Sequence, residues 1–237
     1  SRCLDAPAGD PLRTEPVRAA LGHEASADPG AQGVRTASAP DLPGLLQALT
    51  QQVTYAKIPA QAGRLLLLHA GAVAHPQTGA AVAFVAPGGT GKTTLIRRLG
   101  ERFGYLTDET VAVDAAGAVL PYPKPLSIRR TPTDLRKGET SPDALGLRRA
   151  PEAPRLVRLV LLDRSDAHAA PHLEELGLAD AITALAPETS SLSALPRPLH
   201  WLAGLLDTLP AVTRLRYGEV DDVLDLAAGW LEEGRCG

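Results

Sequence analysis

The stretch that most restricts what this chain can fold into is residues 84–95, FVAPGGTGKTTL. An apolar run ends at Val85, a Gly-rich turn follows, and the chain passes straight into Gly91-Lys92-Thr93-Thr94. That order predicts a strand, a loop and the start of a helix. Glycines in such a loop let backbone N–H groups curl around phosphate oxygens with no Cβ in the way. In this pattern the Lys reaches the β- and γ-phosphates and the Ser/Thr hydroxyl helps hold Mg²⁺. The helix N-terminus adds its own unbonded N–H groups and the positive end of its dipole. The phosphate-binding set is therefore Ala86, Pro87, Gly88, Gly89, Thr90, Gly91, Lys92, Thr93 and Thr94. Ala86 stands where the strict pattern has its first Gly, and is the smallest replacement available. The plainer reading is a Gly-rich turn before an ordinary helix with a surface lysine. The strand before the loop and the apolar helix positions Leu95, Ile96 and Leu99 weigh against it. The expectation is a protein that binds a nucleoside triphosphate.

Composition excludes more than it names. The chain has 237 residues, 44% of them hydrophobic, enough for one moderately large domain or a domain with an appendage. Lysine occurs only at Lys57, Lys92, Lys124 and Lys137, so arginine carries most of the positive charge. With a net charge of −3 this reads as composition bias rather than a nucleic-acid footprint. Residues 65–74 are interrupted by His69 and Gly71, so no run approaches a membrane span. A cytoplasmic location is the default expectation. Cys3 and Cys236 stand near opposite ends without metal-ligand spacing.

Residues 1–40 are rich in Pro, Gly, Ala, Asp and Arg without sustained periodicity, and read as a poorly structured or small N-terminal extension. Residues 41–237 read as the phosphate-loop domain. Asp41 is a plausible cap for a helix carrying Leu42, Leu45, Leu46, Leu49 and Val53 on one face. Strands are expected at 64–68, 71–74, 80–85, 110–113 and 155–162, the last the plainest of them. The helix after the loop should run over about 93–103. Residues 131–154 are polar and Pro-punctuated and read as a mobile excursion over the site. Helices near 176–185, 199–208 and 220–230, with a strand at 212–216, complete an α/β domain. The hairpins imply a mixed sheet.

A phosphate loop does not name a reaction; the second acidic group does. Asp163 closes the aliphatic run 159–162 and fits the common ATPase arrangement, in which an Asp at a strand end helps position Mg²⁺. Asp108-Glu109 follows a weaker strand but comes immediately after the helix that follows the loop. Two adjacent carboxylates can divide labour, one taking a proton from an alcohol and the other serving the metal. Each site also has a plain reading, a polar strand end or a solvated turn. His69, at the end of the apolar run 65–68, is by itself more often a core or turn residue than a catalytic one.

Taken in order, LLLLHAGAV, HPQTGAAVAFV, APGGTGKTT, LIRRLGERFG and YLTDETV resemble the catalytic domain of the HPr kinase/phosphorylase family over residues 64–130. The resemblance implies a P-loop kinase with a phosphoenolpyruvate-carboxykinase-like core, using ATP and Mg²⁺. It implies roles by position: 88–94 cradle the phosphates, with Lys92 on the transferring group and Thr93 on Mg²⁺. His69 approaches the phosphoryl group, Asp108 is the base for a serine hydroxyl, and Glu109 takes the second, metal-side role. Thr93 replaces the family's usual Ser, and Glu109 replaces an Asp. The downstream Arg-Gly-Leu-Gly-Ile-type signature is not recognisable, and residues 122–130, YPKPLSIRR, stand in its approximate place. The pattern looks closer to the HPr-kinase-like proteins found beside peptide natural-product genes. The implied partner is a peptide or small-protein acceptor, with a homo-oligomer expected by resemblance alone. Lys124, Arg129 and Arg130 are candidates to neutralise phosphate charge, or simply an exposed basic loop. The rival expectation is a P-loop ATPase or nucleotide-responsive binding protein using Asp163. A small-molecule kinase acting on free serine is a third.

Overall fold

The computed structural model describes residues 17–21, 35–129, 137–168 and 170–233. Most of 1–40, the two cysteines, Arg130 and the side chain of Arg129 lie outside these residues. The chain divides into two compact units, 1–54 and 55–237. In the first, β1 (Val17–Leu21) and β2 (Arg35–Ala39) form an antiparallel ribbon with Val17 opposite Ala39. Helix α1 (Leu42–Gln61) spans the division. Asp41 caps it as expected, its Oδ1 accepting from the Gly44 N–H at 2.8 Å. On the apolar face read from sequence, Leu45 is buried while Leu42 and Leu46 stay exposed. The helix runs beyond 53, carrying Pro59 within its last turn, and ends ahead of Gly63, which takes a left-handed φ of 77°.

The second unit continues with β3 (Leu66–Ala74), β4 (Ala80–Val85), α2 (Lys92–Gly100), β5 (Gly104–Thr107), β6 (Thr110–Val113) and β7 (Val119–Leu120). A separate ribbon of β8 (Leu126–Arg129) and β9 (Lys137–Thr140) follows. Then come β10 (Arg155–Arg164), β11 (His172–Glu175), α3 (Leu178–Leu185), β12 (Thr189–Ser190), α4 (Pro198–Leu206), β13 (Thr213–Tyr217) and α5 (Leu224–Glu233). The main sheet runs β11-β13-β10-β4-β3-β6-β7, with β5 and β12 also paired to β3. Strand β10 is parallel to β4 and β13, whereas β3 is antiparallel to all its partners. The expected mixed α/β sheet is what forms.

Alternation along the strands assigns the two faces. Leu66, Leu68, Ala70, Ala72 and Ala74 of β3, with Ala81, Ala83 and Val85 of β4, share one core with Ala181, Leu185, Leu202 and Leu205 of α3 and α4. Val73, Val82, Phe84 and Ala86 share the other with Leu95, Ile96 and Leu99 of α2 and Ala227, Trp230 and Leu231 of α5. Helices therefore cover both faces. Because this sheet is buried on both sides, its strands read as continuous apolar runs.

Strand β3 is one unbroken element where two short strands are expected from the sequence. Its partners explain this: β6 and β12 hold residues 66–69, and β4 and β5 take over along 70–74. Both flanks change partner at His69/Ala70. Gly71, just beyond, faces α2 so closely that a Cβ there would lie 2.4 Å from Ile96 Cγ1 and 3.4 Å from the Asp108 Cα. Gly71→Ala is expected to lower stability by about 1–3 kcal/mol, the usual penalty of overpacking, which a urea titration would measure. An unchanged midpoint would mean α2 is not held this tightly. The excursion expected over 131–154 is not a bare loop where described. It contains β9 and a 3₁₀ turn at Asp143–Leu145, and buries Leu147 in the core beside α2.

Candidate active site

The phosphate loop leaves β4 at Val85 and enters α2 at Lys92. Gly89 and Gly91 take φ values of 89° and 85°, which L-residues with a Cβ rarely adopt. Gly88 has an ordinary φ and open space around it, so only two of the three glycines are demanded by local backbone geometry. Thr90 Oγ1 donates to the Pro87 carbonyl at 3.0 Å, and the buried Tyr217 of β13 donates to the Thr90 carbonyl at 2.8 Å. The loop is thus tied down from within and from the sheet. At the start of α2, Gly91 supplies no side-chain cap, so the first N–H groups of the helix have no side-chain acceptor there. Thr94 is exposed and Thr93 half-buried.

Lys92 is buried and lies along the loop, donating to the Ala86 carbonyl at 2.9 Å and the His69 carbonyl at 3.4 Å. Burial pulls its ammonium down to about 8, against the opposing pull of Glu188, Asp108 and Glu109. Thr93 Oγ1 donates to Asp108 Oδ2 at 3.1 Å. This contact joins the phosphate loop to the turn between β5 and β6. Ala70 N–H donates to the Glu109 carbonyl at 3.1 Å, anchoring that turn at the point where β3 changes partners.

Asp108 is only 5% exposed, and its other oxygen is also engaged. Lys124 Nζ lies 3.1 Å from Asp108 Oδ1 and 3.2 Å from Glu109 Oε2. The Tyr105 hydroxyl lies 3.2 Å from Asp108 Oδ1 and 3.1 Å from the Lys124 carbonyl. Burial first, then the Asp108 charge, pushes the Tyr105 phenol far above its ordinary range, so it stays a donor. Burial alone would depress Lys124, but Asp108 and Glu109 outweigh it and hold the ammonium above the ordinary lysine value. The basic group among residues 122–130 is therefore no solvated surface charge at Lys124. It is the buried counter-cation of the acidic pair.

Three further groups carry no sequence signal of their own. Tyr105 reads from sequence as part of a short strand. Glu139, opposite Ser127 in the β8–β9 ribbon, is pushed up by burial, against the pull of Lys124, and its Oε2 is buried without a hydrogen-bond partner. Glu188 ends the 3₁₀ turn Ala186–Glu188 and its Oε2 lies 3.2 Å from His69 Nδ1. Register alone explains that pair: Thr189 lies opposite Leu68, which brings residue 188 opposite 69.

Asp163 goes elsewhere. It stands at the end of β10, half-exposed, with Oδ2 3.5 Å from Arg216 Nε and Oδ1 4.0 Å from His168 Nε2. Along β10 it shares the parity of Leu159 and Leu161, which face α3 and α4, rather than that of Val160 and Leu162, which face α2. The structure brings His69, Lys92, Thr93, Asp108 and Glu109 to one locus and leaves Asp163 on Arg216.

Fold and site together define an α/β domain with a Gly-rich loop between β4 and α2, its Thr and Lys flanked by a carboxylate pair and a second buried lysine. No family model and no curated protein matches the chain. Among solved structures, the HPr(Ser) kinase/phosphatase from Coxiella burnetii is similar, with 12% identity and a TM-score of 0.35. That likeness covers 71% of this chain and 95% of the other. Among the described residues no helix is long and apolar enough to cross a membrane.

Proposed function

We propose that this chain is an ATP-dependent kinase that transfers the γ-phosphoryl group to a hydroxyl, a serine of a peptide or small protein. The observation that carries the reading is the hydrogen bond between Thr93 and Asp108. It couples the loop threonine to the carboxylate that follows α2 and β5 and not to the one ending β10. The donors around it suit Mg²⁺, which takes one or two carboxylates and fills its other positions from phosphate and water. Thr93 Oγ1, Asp108 Oδ2 and Glu109 would hold the ion. Among the described residues no group of three or more His, Cys, Asp or Glu could hold a metal alone, so phosphate oxygens would have to complete the shell. Bound there, Mg²⁺ supplies charge neutralisation for the transferring phosphoryl group.

Phosphoryl transfer passes through a loose, strongly charged transition state, and catalysis is mostly positioning and electrostatics. Lys92 supplies a cation that is already desolvated. The loop and α2 N–H groups supply fixed donors. Lys124 lies against both Asp108 and Glu109 beside them. The acceptor class is our reading of the segment order over residues 64–130 together with the altered stretch 122–130. Assembly of several copies belongs to the same reading.

The experiment is a pair of isosteric substitutions. Asp108→Asn is expected to leave nucleotide affinity within a few fold and to lower transfer by about 10²-fold or more. Asp163→Asn is expected to leave both within about twofold, since it only releases a half-exposed pair with Arg216. Turnover of ATP with a serine-containing peptide pool, followed by mass, reads both. Full activity in Asp108→Asn, or loss in Asp163→Asn, would falsify the assignment and restore the ATPase reading.

A further inference from the structure

Transfer to a hydroxyl requires that its proton go somewhere, and Asp108 is poorly disposed to take it. One of its oxygens receives Thr93, and the other faces both Lys124 and Tyr105. Those contacts already occupy the positions on both oxygens that an incoming O–H would need. We propose, building on the kinase reading, that His69 is the general base for the acceptor hydroxyl and that Glu188 is the residue that positions it.

The argument is geometric. His69 sits where both flanks of β3 change partner, two residues before Gly71, and on the face of the sheet that carries α2. Its backbone carbonyl receives Lys92 Nζ, so the imidazole and the phosphate-binding lysine start from the same peptide unit. The ring is 40% exposed, open to an incoming hydroxyl, while Glu188 is 20% exposed and sheltered. Glu188 Oε2 lies 3.2 Å from Nδ1. A carboxylate there holds the proton on Nδ1 and leaves Nε2 bare, the tautomer a general base needs. Glu188, from the turn before β12, faces the ring, and Lys92 from α2 meets the carbonyl of the same residue. Glu188 also exerts the strongest opposing pull on Lys92, which places it within electrostatic reach of the loop.

In the step, the acceptor O–H bond breaks and its proton passes to His69 Nε2. The acceptor oxygen forms the new bond to the γ-phosphorus. The bond from that phosphorus to the β,γ-bridging oxygen breaks, and its electron pair leaves on ADP. Glu188 stays ionised and stabilises the imidazolium until the proton is lost to solvent. Nothing else is consumed.

The test combines kinetics with ¹⁵N shifts of the His69 ring. Mg-ATP and a serine-containing peptide pool are the probes. Wild-type protein is expected to show protonated Nδ1 and bare Nε2. Glu188→Gln is expected to lower kcat on the order of ten- to a hundredfold with ATP affinity unchanged, and to shift the ring toward the other tautomer. Glu188→Asp should recover part of the rate. His69→Gln should lose about 10²-fold or more. A doubly protonated ring in the wild type at assay pH would overturn the proposal even if Glu188→Gln failed to fold. So would a Glu188→Gln protein with unchanged kcat in an assay where wild type transfers phosphate. Wild-type protein that binds ATP but phosphorylates no hydroxyl would instead bring down the kinase reading, and this inference with it.

Discussion

Lys92→Ala is expected to abolish phosphoryl transfer, by on the order of 10²–10³-fold at least. The side chain is buried against two carbonyls, Ala86 and His69, and its ammonium is the one cation built into the loop. Truncation removes that charge from the place where it develops on the phosphoryl group, and also leaves two carbonyls without their donor. Lys92→Met separates the packing of the stem from the ammonium, since it keeps the apolar stem and removes both the charge and its donors. If charge is what matters, both variants lose transfer alike. A Met variant with near-normal turnover would mean the lysine is merely structural.

The same burial gives a pH signature with a definite sign. Lys92 is pulled down to about 8 in the nucleotide-free protein. Triphosphate oxygens beside it favour the charged form, so the bound value lies higher. Between the two values binding takes up a proton, and affinity falls as pH rises through that window. Calorimetry at pH 8.5 in two buffers of different ionisation enthalpy should therefore report fractional proton uptake. A buffer-independent heat at that pH would remove Lys92 from the binding step.

How much of this was legible beforehand follows the physics of each signal. The turn was, because two of its glycines, Gly89 and Gly91, are required by local backbone geometry, with φ values of 89° and 85°. The mixed sheet was too, since hairpins and apolar runs are local. Of the two acids, Asp163 fits the strand-end pattern best on hydrophobicity alone, whereas the order of segments favours Asp108; strand parity turns the Asp163 side chain away from α2. Parity of a strand buried on both faces cannot be read from hydrophobicity, because both faces are apolar. Lys124 was noticed, but its burial rests on Asp108 and Glu109, which are distant in sequence. Glu188 was invisible for a similar reason. It meets His69 through a two-residue strand, Thr189–Ser190, which carries too little pattern to predict. Glu139 lies past residues 130–136, in a stretch whose polarity reads as loop, and only pairing with Ser127 makes it strand.

Lys124→Met carries the second large effect, and it falls on stability rather than on chemistry alone. The Lys124 ammonium is 6% exposed and holds Asp108, Glu109 and the Pro125 carbonyl at 3.1, 3.2 and 3.2 Å. Glu139 is close enough that Lys124 draws its carboxyl down against the effect of burial. Removing one partner of a buried pair leaves the other charge uncompensated, at a cost of about 3–5 kcal/mol, and here several carboxylates share the single ammonium. The sign of the pH dependence follows from Glu139. Its folded-state carboxyl is already raised, so the folded chain binds more protons than the unfolded one in the window just above the ordinary carboxylate range. Stability contributed by this group therefore falls as pH rises through that window. Without Lys124 the hydrogen bond to Ser127 is left to oppose the raising effects of burial, Asp108 and Glu109. The deficit of Lys124→Met should be largest at neutral pH and shrink as the pH is lowered toward 5, where the raised Glu139 carboxyl takes up a proton instead. Urea titrations of both proteins at pH 7.5 and 5 measure it. A deficit that stays constant across that range would show that the lysine acts through packing of its stem, and that the acidic cluster does not need its charge.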